Sequence, residues 1–200
     1  HPKDKPSGLV VYSEERNAGI FQIKPAFNPT YGIAMNQNGV FGGSLENIHD
    51  GTDSAGWTGS VDSGAGTAFV FDSTAQALSP TKSINASSSK KNNAALLTRS
   101  ASTSLSGFVA VSGGVYLAGA DVDTIISLQF RLAGVNVGVA VDLVQKEGRF
   151  NLATWQSFAI DFSELQVEGL TVDELLITNG PGGTYNYFLD DMQLEETGAS

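Results

Sequence analysis

From residue 44 onward, apolar and polar positions trade places in short runs that break at Gly, Asn, Ser and Pro. Period-2 alternation puts successive side chains on opposite sides of a strand, so such runs predict half-buried β-strands. The pattern predicts strands over 66–72, 81–85, 94–98 and 107–112, with 115–117 following across Gly113-Gly114. It predicts further strands over 124–132, 135–144, 155–162, 172–177 and 185–194. In the 124–132 run, Ile126, Leu128, Phe130 and Leu132 share one face. Ala133-Gly134 reads as a turn and Ser87–Asn93 as a solvated loop. Helix is expected in one place alone, a single turn within Phe162–Leu170. Strands at this spacing without helices predict an all-β chain, an antiparallel β-sandwich of jelly-roll type. Its expected span is 44–196, with a short tail at 197–200.

Residues 1–43 have a different texture. Pro2, Pro6, Pro25 and Pro29 fall here among short β-type runs, and Asn36-Gln-Asn-Gly39 is a turn signal. This stretch reads as an extended N-terminal arm or small β-appendage, ordered against a partner because it buries little surface alone.

Composition sharpens that picture. The 200 residues hold 11 Lys plus Arg against 21 Asp plus Glu, a net charge of −10. The imbalance belongs to one half. Residues 1–100 hold 8 acids and 8 bases, whereas 101–200 hold 13 acids and three bases, Arg131, Lys146 and Arg149. An acidic chain is a poor partner for nucleic acid. No apolar run is long enough to span a membrane as a helix, and no apolar leader core stands near His1. The absence of Cys excludes disulfides, thiolate metal sites and thiol catalysis.

One acid stands out. Alternation in Tyr185–Leu194 groups Phe188, Asp190, Met192 and Leu194 on one mostly apolar face, and that face is expected to point inward. A buried carboxylate needs a partner or a metal, and no Arg or Lys lies near it in sequence. A hard divalent cation held by oxygens, Ca2+ above all, would compensate it. The alternative is that Asp190 caps a loop or sits in water at the end of the sandwich. Further oxygen donors occur in Ile48-His-Asp-Gly-Thr-Asp-Ser-Ala-Gly-Trp57. There Asp50, Thr52 and Asp53 resemble a fragment of a calcium loop without the full EF-hand pattern. Read alone, the segment is a β-turn with Asx hydrogen bonds.

The order of segments resembles a known family. The Asp-Gly loop closing on Trp57 is followed by a Phe-rich strand ending at Asp72 and by Ser79-Pro-Thr-Lys-Ser83. Later come Trp155-Gln-Ser-Phe-Ala-Ile-Asp-Phe162, Val172-Asp-Glu-Leu175 and Phe188-Leu-Asp-Asp-Met-Gln-Leu194. Over 45–196 this resembles the jelly-roll carbohydrate-binding-module superfamily, also called galactose-binding-like. The resemblance implies a structural calcium at Asp190, with Asp50, Thr52 and carbonyls around Ser79–Lys82 as companions. The 48–59 wording and the Leu-Asp-Asp-Met-Gln-Leu-Glu-Glu-Thr-Gly198 ending are also similar to jelly-roll domains of tailed-phage virion proteins. That narrower resemblance implies a non-enzymatic decoration protein on the capsid surface. Its partners would be the major capsid protein or another virion protein, gripped through the N-terminal arm, and further copies in a homo-oligomer. The alternative is a carbohydrate-binding module of a secreted enzyme or tail fibre, with a cell-surface glycan as partner.

Catalytic signals are poor, and no enzyme is expected. His49 adjoins Asp50 but no nucleophile motif accompanies it. Asp173/Glu174 and Asp190/Asp191 are neighbours on strands and point to opposite faces, which does not suit a glycosidase pair. For sugar stacking the candidate rings are Trp57, Trp155, Tyr116, Tyr185 and Tyr187. Tyr185 and Tyr187 are favoured for exposure because they follow the Gly-rich 179–183 loop. Each ring has core packing as its alternative.

Overall fold

The computed structural model describes residues 45–49, 56–63, 69–78, 82–119, 125–143, 152–180 and 184–196. All lie in one compact unit, Phe41–Ser200. The N-terminal arm, Asp50, Thr52, Asp53 and the 197–200 tail lie outside the described residues.

Among the described residues, eleven strands form two antiparallel sheets. They are β1 (Leu45–His49), β2 (Trp57–Ser63), β3 (Val70–Ser73), β4 (Ser83–Lys90), β5 (Ala94–Ser104) and β6 (Phe108–Gly119). Then follow β7 (Ile126–Leu132), β8 (Val135–Asp142), β9 (Trp155–Asp161), β10 (Thr171–Asn179) and β11 (Thr184–Glu196). The six-stranded sheet runs β3-β4-β11-β6-β9, with β1 also paired to β11. The five-stranded sheet runs β2-β5-β10-β7-β8. The result is the antiparallel jelly-roll sandwich that the alternation predicts. The expected helical turn is α1 (Phe162–Leu165), which ends at Gln166 in the left-handed region.

The core is the seam between the sheets. Val111, Val115 and Leu117 of β6 and Leu189, Met192 and Leu194 of β11 meet Leu97, Ile126, Leu128, Phe130, Leu175 and Ile177 of the opposite sheet. Phe130 meets Phe162 of α1 edge to face at 5.8 Å, a favoured ring geometry. Glu46 ties the sheets together at one margin. It accepts the Trp57 indole N–H at 3.3 Å and pairs with Arg99 at 3.1 Å.

Two local expectations are adjusted. The runs 107–112 and 115–117 are one strand, because β6 runs straight through Gly113-Gly114. A Cβ at Gly113 would stand 3.0 Å from the Phe158 ring and 3.1 Å from Met192, so close packing explains the glycine. The 87–93 loop is shorter than expected. β4 continues to Lys90, and the reversal is made by Asn92 at φ 61°, whose amide bonds to Asn179.

Candidate functional site

The Asp190 environment follows from a fault in β11. Asp191 has φ 55°, and the pairing with β6 jumps from Asp190↔Gly114 to Gln193↔Ser112. This is a β-bulge, and an extra residue reverses the inward and outward phase. Before it Tyr185, Tyr187 and Leu189 face the core, and after it Met192 and Leu194 do. The expected common face of Phe188, Asp190, Met192 and Leu194 is therefore split. Phe188 and Asp190 look away from the sandwich seam.

Asp190 is nonetheless 0% exposed. It fills the place where β4, paired as far as Leu189, hands over to β1, whose His49 faces Met192. Its carboxylate accepts the amides of Leu78 at 2.7 Å and of Asp191 at 2.8 Å. The His49 Nδ1 lies 3.8 Å away. His49 Nε2 stands 2.9 Å from the Phe71 carbonyl, which can only accept, so Nε2 carries the hydrogen. Two backbone amides thus supply hydrogen bonds of the kind a buried carboxylate needs. As a cation site this junction offers, among the described residues, one carboxylate. The imidazole nitrogen suits a softer ion than calcium. Among the described residues no group of three metal-ligating acids, His or Cys comes together.

The rings favoured for sugar contact are placed elsewhere than expected. Trp57, Tyr185 and Tyr187 are 3%, 1% and 1% exposed. Their faces are core, so no sugar reaches them, and this corrects their reading as ligand-binding residues. Strand phase, not nearness to a Gly-rich loop, decides it. The Tyr187 hydroxyl donates to Asn179 Oδ1 at 2.9 Å, and Tyr185 packs on its ring at 6.5 Å. Burial, and then the neighbouring Tyr185, push the Tyr187 phenol above its ordinary range.

Each sheet instead carries a transverse row on its outer face. Directly opposed residues in antiparallel strands share a face. In the six-stranded sheet the pairs Val70↔Asn85, Asn85↔Phe188, Phe188↔Tyr116 and Tyr116↔Trp155 link five strands. The Phe188 and Tyr116 rings meet edge to face at 5.8 Å, and Tyr116 and Trp155 are tilted at 5.6 Å. Tyr116 and Trp155 are half-buried.

In the five-stranded sheet the row is polar: Thr58↔Thr98, Thr98↔Glu174, Glu174↔Arg131 and Arg131↔Asn136. Beside it runs Ser60–Leu96–Leu176–Gln129. Arg131 donates from Nε to Asn136 Oδ1 at 3.1 Å and from Nη1 to Asp62 Oδ1 at 3.0 Å. Asp62 is on β2, three strands away from β7. In a flat sheet that separation is about 14 Å, beyond the combined reach of the two side chains. The sheet must therefore curl, with this face concave. Its trough has an apolar floor at Leu96 and Leu176 and planar polar groups above it. Glu174 Oε2 accepts the Gly134 amide at 2.6 Å and so anchors the β7–β8 turn. Sequence reading passed over Arg131, although the scarcity of bases in the C-terminal half marks it.

A scan against protein-family models gives no match, and a search of curated proteins gives none. Solved structures do match. A family 30 carbohydrate binding module aligns at TM-score 0.55 and 12% identity, over 76% of this chain and 99% of that one. A family 29 carbohydrate binding module aligns at TM-score 0.50 and 9% identity, over 76% and 88%. A β-1,2-glucanase from Parabacteroides distasonis aligns at TM-score 0.55 and 11% identity, over 74% of this chain but 25% of its own. The sandwich therefore has the fold seen in carbohydrate binding modules and in one part of a larger glucanase chain.

Proposed function

We propose that the 44–196 domain is a non-catalytic glycan-binding module that takes its ligand in the trough of the five-stranded sheet. The observation that carries this reading is Arg131 held between Asn136 and Asp62 across a curled sheet. Planar guanidinium, amide and carboxylate groups match the vicinal hydroxyls of a sugar, and Leu96 and Leu176 give its C–H faces a dry floor. The fold shared with the family 29 and family 30 modules supports the same reading. Calcium enters as a structural ion at Asp190, with Asp50, Thr52 and Asp53 completing an oxygen shell. A secreted or fibre-borne location suits such a module. The alternative, capsid decoration with a major capsid protein as partner and a homo-oligomeric assembly, has the sequence resemblance and the Pro-rich residues 1–43 as its support.

Calorimetry of the full chain against soluble gluco-, manno- and xylo-oligosaccharides tests the reading. Asn136→Ala and Gln129→Ala are expected to weaken binding about tenfold each, one lost hydrogen bond's worth in a desolvated site. Binding left intact in the double variant overturns the assignment to the trough.

A further inference from the structure

The five strands of the trough offer a sugar no ring to stack on. They hold two aromatic residues, Trp57 and Phe130, and both belong to the core. Whatever the trough takes is therefore held by polar and charged contacts, and the strongest of these is only partly used. The Arg131 guanidinium has five N–H donors. One serves Asn136 and one serves Asp62. Its Nη2 has no protein partner among the described residues and is not sealed from solvent. An open guanidinium edge on a ring-free floor calls for an anionic group, since a planar carboxylate meets it with two parallel hydrogen bonds.

The present partner of Arg131 is easily exchanged. Asp62 lies on the edge strand β2 with its side chain 28% exposed. The pair spans the width of β10 and β5, where Leu176 is 8% exposed. An ion pair this close to water contributes little, so its release costs little. Glu174, the other acid beside Arg131, is 8% exposed and holds the Gly134 amide. It stays in place when Asp62 leaves.

A second observation points to the same charge. Of the five described bases, Lys82 pairs with Asp72 and Arg99 with Glu46. The other three are Arg131, Lys90 and Lys91. Both lysines are exposed, and neither has an acid partner among the described residues. They lead into the β4–β5 turn, which stands at one end of the trough because the Ser63 hydroxyl at the end of β2 donates to the Asn92 carbonyl at 3.0 Å.

We infer that the trough takes an acidic saccharide, a chain bearing uronate carboxylates. The inference rests on the trough reading and names its ligand class. One carboxylate seats on Arg131 in place of Asp62, whose own carboxylate swings into solvent. Lys90 and Lys91 attract further charges of the same chain beyond the end of the sheet. Asp62 is thus an internal substitute for the ligand and competes with it.

Calorimetry of the full chain with hexagalacturonate and with its fully methyl-esterified form tests the class, because esterification removes the charge and keeps the sugar. The acid is expected to bind at least about tenfold tighter than the ester. Arg131→Lys keeps the charge but loses the planar fork, and is expected to weaken the acid about tenfold. Asp62→Asn removes the competitor and is expected to tighten it severalfold. Lys90→Ser with Lys91→Ser should weaken the hexamer and leave digalacturonate unaltered. A matching melting temperature excludes misfolding, and Asp62→Asn carries the test alone should Arg131→Lys lose stability. Equal affinity for acid and ester, or binding of neutral gluco-, manno- or xylo-hexasaccharides alone, overturns the acidic class and leaves the trough. A thymidine hexanucleotide bound as tightly as hexagalacturonate means an unselective anion surface and overturns the saccharide assignment. Acid binding unmoved by Asp62→Asn, Arg131→Lys and Asn136→Ala lies outside the trough and overturns both readings, as does the absence of heat with every sugar.

Discussion

Gly59 of β2 and Phe71 of β3 meet across the sandwich so closely that the Phe71 ring occupies the place where a Cβ at residue 59 would stand. The two strands belong to different sheets, so this approach helps set the distance between them at one margin of the core. Gly59→Ala overfills that space and is expected to cost about 1–3 kcal/mol. In a chain of this size the melting temperature should fall by a few degrees for each kcal/mol lost. An unchanged thermal transition means that the ring moves aside freely.

The Glu46 clamp gives a second test. Its two carboxylate oxygens serve the Trp57 indole and the Arg99 guanidinium. Glu46→Ala strands a buried indole N–H, with an expected loss of about 1–3 kcal/mol in urea unfolding. Glu46→Gln keeps an acceptor for Trp57 and gives up only a half-buried ion pair, so its loss should be clearly smaller. Equal losses would put the stabilisation in the charge and not in the indole bond.

Asp190 is buried between two amides and His49. Asp190→Ala removes the acceptor of two backbone amides, with an expected cost of about 3 kcal/mol or more. With calcium held at Asp190, a chelator lowers the melting temperature of the unmodified chain, and added calcium raises it progressively by mass action. The Asp190→Ala chain is expected to be indifferent to both. A melting curve that no chelator moves removes the ion and leaves protein groups, the two amides among them, to compensate the buried charge.

Tyr187 supplies a pH dependence with a definite sign. Its buried phenol titrates above the ordinary value, so it stays neutral in the folded chain when an unfolded tyrosine ionises near pH 10. The folded state then binds more protons than the unfolded state. Stability is fully present below about pH 10 and falls above it by up to about 1.4 kcal/mol per pH unit. Tyr187→Phe loses the bond to Asn179 at every pH but removes this group's share of the alkaline slope. Parallel curves for the two proteins between pH 9 and 11 would contradict the placement.

Much of the fold is legible in the sequence because alternation reports it directly. Ile126, Leu128 and Phe130 alternate without interruption and are all fully buried. The turn at Ala133-Gly134 is signalled by residue type and has positive φ at both positions. The site is less legible, for two physical reasons. A bulge adds one residue and reverses every later side chain, and nothing in Leu-Asp-Asp-Met marks where that happens. The choice between core and surface for Tyr116, Trp155, Tyr185 and Tyr187 hangs on such phases, so rings of like chemistry fall on opposite faces. The trough depends on the curl of a whole sheet, a property of five strands together that no local window of Arg131 contains.

The position of β11 sets an order of events. It lies between β4 and β6 and also pairs with β1, yet it comes after all the other described strands in sequence. On a ribosome the six-stranded sheet has no centre until residues 184–196 have emerged, and until then β4 and β6 present open edges. The long-range pairings must form together and late, which makes for slow folding. A chain shortened before Thr184 lacks the middle of one wall and is expected to aggregate, whereas tags placed beyond Glu196 act only after that wall can close.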